Sequence, residues 1–448
     1  MKRRDFVKTS AVASATVAGL SLARSVHAAG SDVLRIGLVG CGGRGCGAVG
    51  NTISAAHTVY EGKSPVKIVA IADALEEKTK SAYRNFLDQA DGDEVWSKAI
   101  DLREQSCYNG PDSGKNMIEN EELDLVLLCE APHFRCRNLT AAVKKGLHVF
   151  CEKPVGTDAP HCREIMALND EIEAKKLTLV SGLCWRYDPG VTATMQRILD
   201  GAIGEILVVQ ETYNAGGIWE RGRQKGDTEL EFQVRNWYHF TWLSGDHITE
   251  QAIHSIDKMG WAMNDDPPVA AWGMGGRQVR TAVGDIYDHH AVAYEYANGT
   301  RGYFFTRQMP NCWSDVTDTF IGTKGTARVL GGLELRDLSG NVTWKYDGPG
   351  GDMYVEEHKS LYRALITGER INNMKYMVNS TMLANMGRMT TYTGQRITWD
   401  EAWNSKERWE PSSYDSWDAT PPVKPIGENQ YEIAAPGRTK LSEATNRR

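Results

Sequence analysis

The sequence is short of the features that mark membrane, zinc and nucleic-acid-binding proteins. After the N-terminal segment, no stretch approaches the roughly 18 consecutive apolar residues that a membrane helix needs, so we expect no stable membrane insertion. The nine cysteines include no CxxC pair and no Cys/His cluster with zinc-ligand spacing, which predicts no metal site and buried thiols without disulfides. A net charge of -7 offers no basic surface for nucleic acid. With 41% hydrophobic and 24% charged residues, the 448-residue chain has the composition of a globular protein with two domains.

The N-terminus has the organisation of a targeting segment. Arg3 and Arg4 precede a mildly apolar run over residues 9–23, and the Val-His-Ala sequence at 26–28 resembles a cleavage site. Paired arginines in this position are typical of twin-arginine (Tat) export signals. We therefore predict a signal peptide over residues 1–29, the Tat export machinery as a partner, and a periplasmic or otherwise exported location. The alternative is an uncleaved amphipathic terminus or a lipid-facing anchor.

Strand and helix patterns alternate over the first half of the mature chain. Apolar runs occupy residues 34–40, 66–73, 123–129, 147–151 and 177–181, with helical patterns between them. Strands that are nearly continuous in apolar residues indicate a parallel sheet that helices cover on both faces. The predicted fold class is therefore α/β.

A glycine fingerprint follows the first of these strands. Its residues are Gly40, Gly42, Gly43, Arg44 and Gly45. Glycines here let the backbone turn tightly and approach a pyrophosphate, whose charge is met by the N–H groups at the start of a helix. Asp73 ends the next strand, where a carboxylate takes ribose hydroxyls and disfavours a 2'-phosphate. We predict binding of NAD, with NADP disfavoured; the alternative is a structural turn without a nucleotide.

Further motifs extend the pattern. They are Ala131-Pro132, the run from Gly146 to Val149, Glu152-Lys153-Pro154 after a strand, the run from Arg186 to Pro189, and the run from Gly201 to Ile206. With the fingerprint, they make the chain resemble the Gfo/Idh/MocA family of oxidoreductases from about residue 34 to residue 402. The resemblance implies cofactor contacts from Pro132, Glu152 and Lys153.

The resemblance also implies the domain organisation. We expect a Rossmann NAD-binding domain over residues 30–155, with crossover helices and its last strand over 156–205. A C-terminal α+β domain with an open, mostly antiparallel sheet follows over 206–411, with substrate and oligomer contacts and a late helix that returns to the Rossmann domain. Residues 412–448 form an extended tail. We expect a homo-oligomer, either a dimer or a tetramer.

Lys153 has a chemical reason to be in an active site. An ammonium near a reacting hydroxyl stabilises the alkoxide from which hydride departs. The resemblance likewise makes Lys153 the active-site lysine beside the nicotinamide. The alternative is a surface lysine whose stem packs on the protein while its charge reaches water.

A stripe of ionisable residues follows the helical period in the second half of the chain. Its members are His247, Glu250, His254 and Asp257. The resemblance makes His254 the general base and Glu250 the acid that orients it, although aspartate is more usual at that position. Histidine titrates near neutrality and suits this role. The alternatives are a solvated helix face and a metal site at His247, Glu250 and His254.

The substrate contacts are predicted from this stripe and from a loop rich in Trp and Arg over residues 214–235. The candidates are Arg186, Tyr187, Trp219, Arg235, Trp237, His247 and Asp257. Aromatic faces stack on sugars, and arginines bind hydroxyls or carboxylates. A charged surface loop near an oligomer contact is the alternative.

Taken together, the sequence predicts an NAD-dependent oxidoreductase that moves hydride from a secondary hydroxyl of a small sugar, glycoside or polyol to tightly bound NAD. One alternative is a glycosidase that resembles α-N-acetylgalactosaminidases and oxidises C3 transiently; it needs an extra base, for which Tyr187 and His247 are weak candidates. A nucleotide-dependent binding protein without catalysis is a third possibility, because fold alone does not settle function.

Overall fold

The computed structural model describes residues 33–281 and 283–441. The predicted signal peptide over residues 1–29 lies outside the described residues, as do the last seven residues of the tail. Within the described part of the chain, no helix is both long and apolar enough to cross a membrane. All nine cysteine thiols are free of disulfides, and five of them are buried.

The first sheet contains six parallel strands. They are β1 (Leu34–Val39), β2 (Val66–Asp73), β3 (Cys107–Asn109), β4 (Leu125–Leu128), β5 (His148–Cys151) and β6 (Leu179–Ser181). Their order is β3-β2-β1-β4-β5-β6, so the direction of winding reverses between β1 and β4 and opens a crevice at the carboxyl ends of the strands. Leu38, Ile71 and Leu127 are paired across three strands and are fully buried, which explains the continuous apolar runs. The predicted α/β fold class is confirmed.

Helices cover both faces of this sheet. They are α1 (Gly43–Val59), α2 (Glu76–Gly92), α3 (Glu94–Ala99), α4 (Ser113–Asn120), α5 (Pro132–Lys145), α6 (Ala159–Met166), α7 (Asn169–Lys175) and α8 (Pro189–Leu199). Local signals set their ends. Pro132 occupies the first turn of α5, where its missing N–H has no cost, and Gly146 ends the same helix in the left-handed region with φ 84°.

The second sheet is open and mostly antiparallel. Its strands are β7 (Ile206–Ala215), β8 (Ala270–Gly276), β9 (His289–Glu295), β10 (Arg301–Gln308), β11 (Asp315–Gly322), β12 (Gly325–Leu330), β13 (Glu334–Asp337), β14 (Val342–Lys345) and β15 (Ile397–Thr398). Their order is β14-β13-β12-β11-β7-β10-β9-β8-β15, and β7 and β10 run parallel. Along β10, buried and exposed residues alternate, which is typical of a sheet with one covered face.

Seven helices accompany the second sheet. They are α9 (Glu229–Arg235), α10 (Thr241–Ser244), α11 (His247–Glu250), α12 (Ile253–Ala262), α13 (Met353–Thr367), α14 (Met374–Thr393) and α15 (Trp399–Trp403). Helix α13 packs against α1 of the first domain, through which it reaches the glycine turn. Helix α14 is buried on nearly all sides between the second sheet and α6, so its sequence lacks an amphipathic period.

The predicted helical stripe is interrupted in the structure. One helix ends at Glu250 and the next begins at Ile253, although the sequence period predicted a single helix. The amide of Ala252 donates to the carbonyl oxygen of His247, five residues back, at 3.0 Å, which widens the turn. His247 therefore lies on a different side from His254.

The tail lies against its own chain over the described residues 412–441. The hydroxyl of Tyr414 is 2.7 Å from Nε2 of His133 in α5. Thr228, which caps α9, donates its hydroxyl to the carbonyl of Trp417 at 2.7 Å. Two further strands in the tail, β16 (Pro425–Gly427) and β17 (Gln430–Tyr431), form a small hairpin. The tail thus joins the first domain to α9 of the second.

Candidate active site

The glycine turn forms one side of a cleft between the two domains. Gly40 has φ 92°, and a Cβ added there would lie 2.5 Å from the backbone nitrogen of Glu130. A Cβ on Gly45 would lie 1.7 Å from the carbonyl oxygen of Gly40. In contrast, Gly42 and Gly43 face open space. The outer glycines are thus required by close packing, whereas the middle pair leaves room for a ligand at the start of α1.

The cleft has a volume of about 310 Å³ and receives walls from both domains. Gly40, Gly42, Gly43, Arg44 and Asp73 contribute from the first domain. Asp73 accepts hydrogen bonds from the amides of Cys41 at 2.7 Å and Leu75 at 2.9 Å, which fix its carboxylate at the end of β2. An open N–H edge for a pyrophosphate and a fixed carboxylate for ribose hydroxyls fit an NAD molecule.

Arg44 and Glu152 connect the nucleotide turn to the second strong motif. Nε of Arg44 lies 2.9 Å from Oε1 of buried Glu152, and its guanidinium stacks over Tyr354 of α13 at 4.6 Å. Oε2 of Glu152 accepts the amide of Lys153 at 3.1 Å. Glu152 therefore orients both Arg44 and the backbone of Lys153. Two predicted cofactor residues have structural positions beside the cleft. Pro132 begins α5, and Gly45 is a close packing contact of α1.

The structure brings Lys153 and Glu250 together. Nζ of Lys153 lies 3.1 Å from Oε1 of Glu250 and also donates to the carbonyl oxygen of Glu250. Their side chains are only 11% and 12% exposed, so the ammonium is held in place and shielded from water. This position excludes the alternative of a lysine that extends into solvent.

His254 lies one turn after Glu250 and keeps a nitrogen available. Its Nδ1 is buried and has no hydrogen-bond partner among the described residues. Burial, with the positive charges of Lys153 and Lys258, holds the pKa of His254 well below its usual value. The imidazole is therefore neutral at pH 7 and able to accept a proton.

A buried ion pair that the sequence did not indicate lies behind His254. Nζ of Lys258 donates to the carbonyl oxygen of His254 at 2.6 Å and contacts Oδ2 of Asp318 at 2.9 Å. Neither charged side chain of this pair is exposed. Lys258 ties the helix that carries His254 to strand β11, so the second sheet positions the base.

Three of the predicted substrate residues are engaged inside the protein. Nε of Arg186 lies 3.0 Å from both carboxylate oxygens of Asp257, and its guanidinium stacks on Tyr376 at 3.9 Å. The hydroxyl of Tyr187 donates to Asn373 at 2.8 Å. Arg186 and Asp257 thus pair with each other, and the Tyr187 hydroxyl is held by Asn373. Their substrate contacts, and the use of Tyr187 as an additional base, stay predictions.

His247 belongs to a separate buried cluster. Its Nδ1 lies 2.8 Å from Oδ1 of Asp246, and His290 lies close by, with ligand atoms of all three within 4.8 Å of one another. The predicted alternative of a metal held by His247, Glu250 and His254 differs from this arrangement, because the helix break turns His247 away. The structure thus places His247 beside Asp246 and His290, and its substrate contact stays a prediction.

Trp219, Arg235 and Trp237 lie on the nucleotide cleft. All three line its second-domain wall, opposite the glycine turn. Arg235 pairs with Glu77 of α2, four residues after Asp73 in the chain. These residues were predicted as a carbohydrate platform, and the structure places them on the cleft that Asp73 also lines. The composition of the loop indicated that these side chains bind a ligand. That they face the glycine turn of the first domain follows only from the three-dimensional structure.

Glu130 is a cleft residue that the sequence prediction missed. It lies two residues after the end of β4 and lines the cleft. Its carboxylate accepts a hydrogen bond from Asn138 at 3.0 Å. An acid at the carboxyl edge of a parallel sheet is a usable signal, because ligands bind at that edge.

Two family models match the chain. The model described as "Oxidoreductase family, NAD-binding Rossmann fold" matches residues 34–181, and the "GFO/IDH/MocA C-terminal domain" matches residues 191–328. The chain belongs to the GFO/IDH/MocA family. Its first domain is an NAD-binding Rossmann domain, which confirms the cofactor predicted from the glycine fingerprint and Asp73.

Curated relatives within the GFO/IDH/MocA family include inositol 2-dehydrogenases. The protein from Pseudomonas savastanoi pv. phaseolicola is 26% identical over 218 residues, which are 48% of this chain and 57% of the relative. The chain thus spans little more than half the length of that relative. The protein from Rhizobium meliloti is 24% identical over 65% of this chain and 74% of its own length.

Solved structures share the fold of this GFO/IDH/MocA chain. A levoglucosan dehydrogenase in complex with NADH and levoglucosan aligns with a TM-score of 0.61 and 18% identity, over 82% of this chain and 99% of the other. At this identity the similarity establishes the fold alone.

Proposed function

We propose that the protein is an NAD-dependent dehydrogenase of a sugar, glycoside or polyol that acts on a secondary hydroxyl with a tightly held cofactor. The inositol 2-dehydrogenases among its relatives and the levoglucosan dehydrogenase among similar structures support this substrate class. The observation that carries the proposal is the buried, neutral His254 beside the Lys153–Glu250 pair.

The residues divide the chemistry between them. The imidazole of His254 takes the hydroxyl proton as the C–H bond of the same carbon breaks and the C–O bond becomes a carbonyl. The ammonium of Lys153 stabilises the negative charge that develops on the substrate oxygen. Glu250 holds that ammonium in position. Bound NAD supplies the acceptor for the hydride.

The second domain supports a tightly held cofactor. Trp219, Arg221 and Trp237 line the cleft opposite the glycine turn, and Arg235 pairs across it with Glu77. A dinucleotide between these walls contacts both domains, so its release requires them to separate. An enzyme of this kind regenerates its oxidised cofactor in place with a second, reducible substrate.

The test measures NADH formation by the full chain with polyols, free sugars, levoglucosan and aryl glycosides. We expect a polyol or sugar to reduce bound NAD. Lys153→Met and His254→Ala should each lower kcat/KM by about 10²–10⁴-fold. Lys80→Met is the matched control, because Lys80 is an exposed lysine on α2 whose ammonium pairs with Glu76 of the same helix.

The other outcomes favour different functions. Cleavage of an aryl glycoside without accumulation of NADH would support the transient-oxidation glycosidase. Binding of NAD without turnover, and with no effect of either substitution, would support a non-catalytic binding protein. Absence of NAD binding by the wild-type chain would refute the proposal altogether.

We also propose export by the Tat pathway to the periplasm or an equivalent compartment. The support is the sequence alone, because Arg3 and Arg4 lie outside the described residues. The test is cell fractionation of the wild-type chain and of an Arg3→Lys, Arg4→Lys double variant, with Lys8→Arg as the control. Retention of the double variant alone in the cytoplasm is expected, and equal distribution of all three chains would refute export by this route.

We propose a homo-oligomer, a dimer or tetramer, that forms through the open face of the second sheet. Trp272 and Tyr303 flank one position of β9, and Met274 and Phe305 flank another, so the four side chains form two adjacent rows. All four are exposed, and Met274 is 66% exposed. An apolar patch of this kind is typical of an interface. Light scattering should show that Met274→Asp reduces the assembly to monomers, and a monomeric wild-type chain would refute this proposal.

A further inference from the structure

Glu130 lies where the cofactor approaches the protein most closely. The Cβ of any side chain at Gly40 would collide with the backbone of Glu130, so residue 130 borders the glycine turn. Both residues line the cleft. The pyrophosphate of a dinucleotide binds at such a turn. Glu130 is therefore on the phosphate side of the cleft, whereas Asp73 marks the ribose side.

The carboxyl group of Glu130 is buried and only half satisfied. Oε1 accepts a hydrogen bond from Nδ2 of Asn138 at 3.0 Å, while Oε2 has no partner among the described residues. Arg135, the nearest cation, donates instead to the carbonyl oxygens of Glu130 and Pro154. A buried polar atom without a partner costs about 1–3 kcal/mol, so a ligand that completes its hydrogen bonding gains free energy there.

The surrounding charges determine which form of Glu130 suits a dinucleotide. Burial raises the pKa of Glu130 to about 7, while the cation Arg135 opposes this rise and the anion Asp73 adds to it. Arg44, Lys78, Arg221 and Arg235 line the same cleft from other elements. A pyrophosphate brings two further negative charges, which disfavour an ionised neighbour. A neutral carboxyl group instead offers an O–H donor.

We propose that Glu130 binds the dinucleotide as a neutral carboxylic acid whose Oε2 donates a hydrogen bond on the phosphate side, and that it thereby weakens NAD binding in alkaline medium. The inference rests on the NAD chemistry proposed above and adds a binding residue with a defined proton requirement. Binding of NAD takes up a proton at Glu130 when the medium is above neutral pH.

The test is calorimetric titration of NAD into the full chain, freed of dinucleotide with charcoal, across a pH series. For the wild type, the Kd should rise at least about tenfold between about pH 6 and about pH 8.5, because only the neutral form binds. Glu130→Gln keeps an N–H donor and has no proton to lose, so its Kd should change less than about twofold. At the acid end its Kd should match that of the wild type.

Two controls separate the possible failures. Glu104→Gln changes an exposed carboxyl group on a short turn before β3, and it should keep the wild-type dependence of Kd on pH. Thermal melting of each variant shows that it is folded. If Glu130→Gln retains the pH dependence of the wild type, or if the wild-type Kd is constant, the role of Glu130 is refuted while the dehydrogenase proposal stands. If the wild type binds no NAD at any pH, the proposed function itself fails.

Discussion

The contact between Glu77 and Arg235 allows a direct test of how the cofactor is retained. Nη1 of Arg235 reaches across the cleft to Oε1 of Glu77, and this is the ion pair that joins the cleft wall of the second domain to α2. Arg235 is 4% exposed and also pairs with Asp227 and Glu231, so it stays buried and compensated when Glu77 is changed. Glu77→Gln therefore removes the link across the cleft without an uncompensated charge.

The expected magnitude follows from the exposure of the two partners. Glu77 is half exposed, which screens the pair, so its contribution is about 1 kcal/mol rather than the larger value of a fully buried pair. If this energy is lost when the cleft opens, NADH should leave Glu77→Gln about fivefold faster than the wild type.

The assay loads each full chain with NADH, removes the excess, and follows the loss of bound NADH fluorescence after a large excess of NAD is added. Glu76→Gln is the matched control, since this neighbouring carboxylate pairs only with Lys80 on the solvent side of the same helix. High salt should raise the release rates of the wild type and of Glu76→Gln toward that of Glu77→Gln, because salt screens the half-exposed ion pair. The rate of Glu77→Gln should change little, because the link is already absent. Equal release rates for Glu77→Gln, Glu76→Gln and the wild type would show that the ion pair does not hold the cleft closed.

Three further substitutions test other parts of the structure. Gly45→Ala should abolish NAD binding in calorimetry because its Cβ has no space, whereas Gly47→Ala, which faces open space on the same helix, should leave binding unchanged. Asp318→Asn should lower the free energy of unfolding in urea by about 3 kcal/mol, because it leaves Lys258 buried without its counter-charge, and an unchanged denaturation midpoint would contradict this. Burial and the neighbouring carboxylate Glu152 raise the pKa of Glu357, so the folded chain keeps a proton that the unfolded chain releases above about pH 4.5. Wild-type stability should therefore fall as the pH rises above that value, and Glu357→Gln should flatten the dependence of Tm on pH; parallel curves would refute this assignment.

The first domain was predictable because each of its signals is local. Each long strand is nearly continuous in apolar residues, the glycine turn follows one of them directly, and Asp73 ends the next. These features depend on a few consecutive residues whose geometry is set by sterics and burial. Gly40, Gly42, Gly43 and Arg44 of the glycine turn line the cleft for the same reason, and Gly45 packs against Gly40.

The substrate residues were less predictable, because their roles depend on partners distant in sequence. Arg186 is neutralised by Asp257, 71 residues away, and composition alone cannot distinguish such a pair from two free groups. The helical period placed His247 and His254 on one face, but a single widened turn at Ala252 separated them. Tertiary contacts likewise decided that the loop with Trp219 faces the nucleotide turn.

The attachment of the tail to α9 bears on when the protein can first retain its cofactor. Helix α9 carries Arg235 to the cleft, and it is held by Trp417 through Thr228 and by Tyr431 through Glu229. The glycine turn at Gly40 is synthesised before Trp417 and Tyr431, the residues that brace the opposite wall. Enclosure of the nucleotide therefore follows synthesis of the tail, and a chain that is truncated before Trp417 should bind NAD without retaining it.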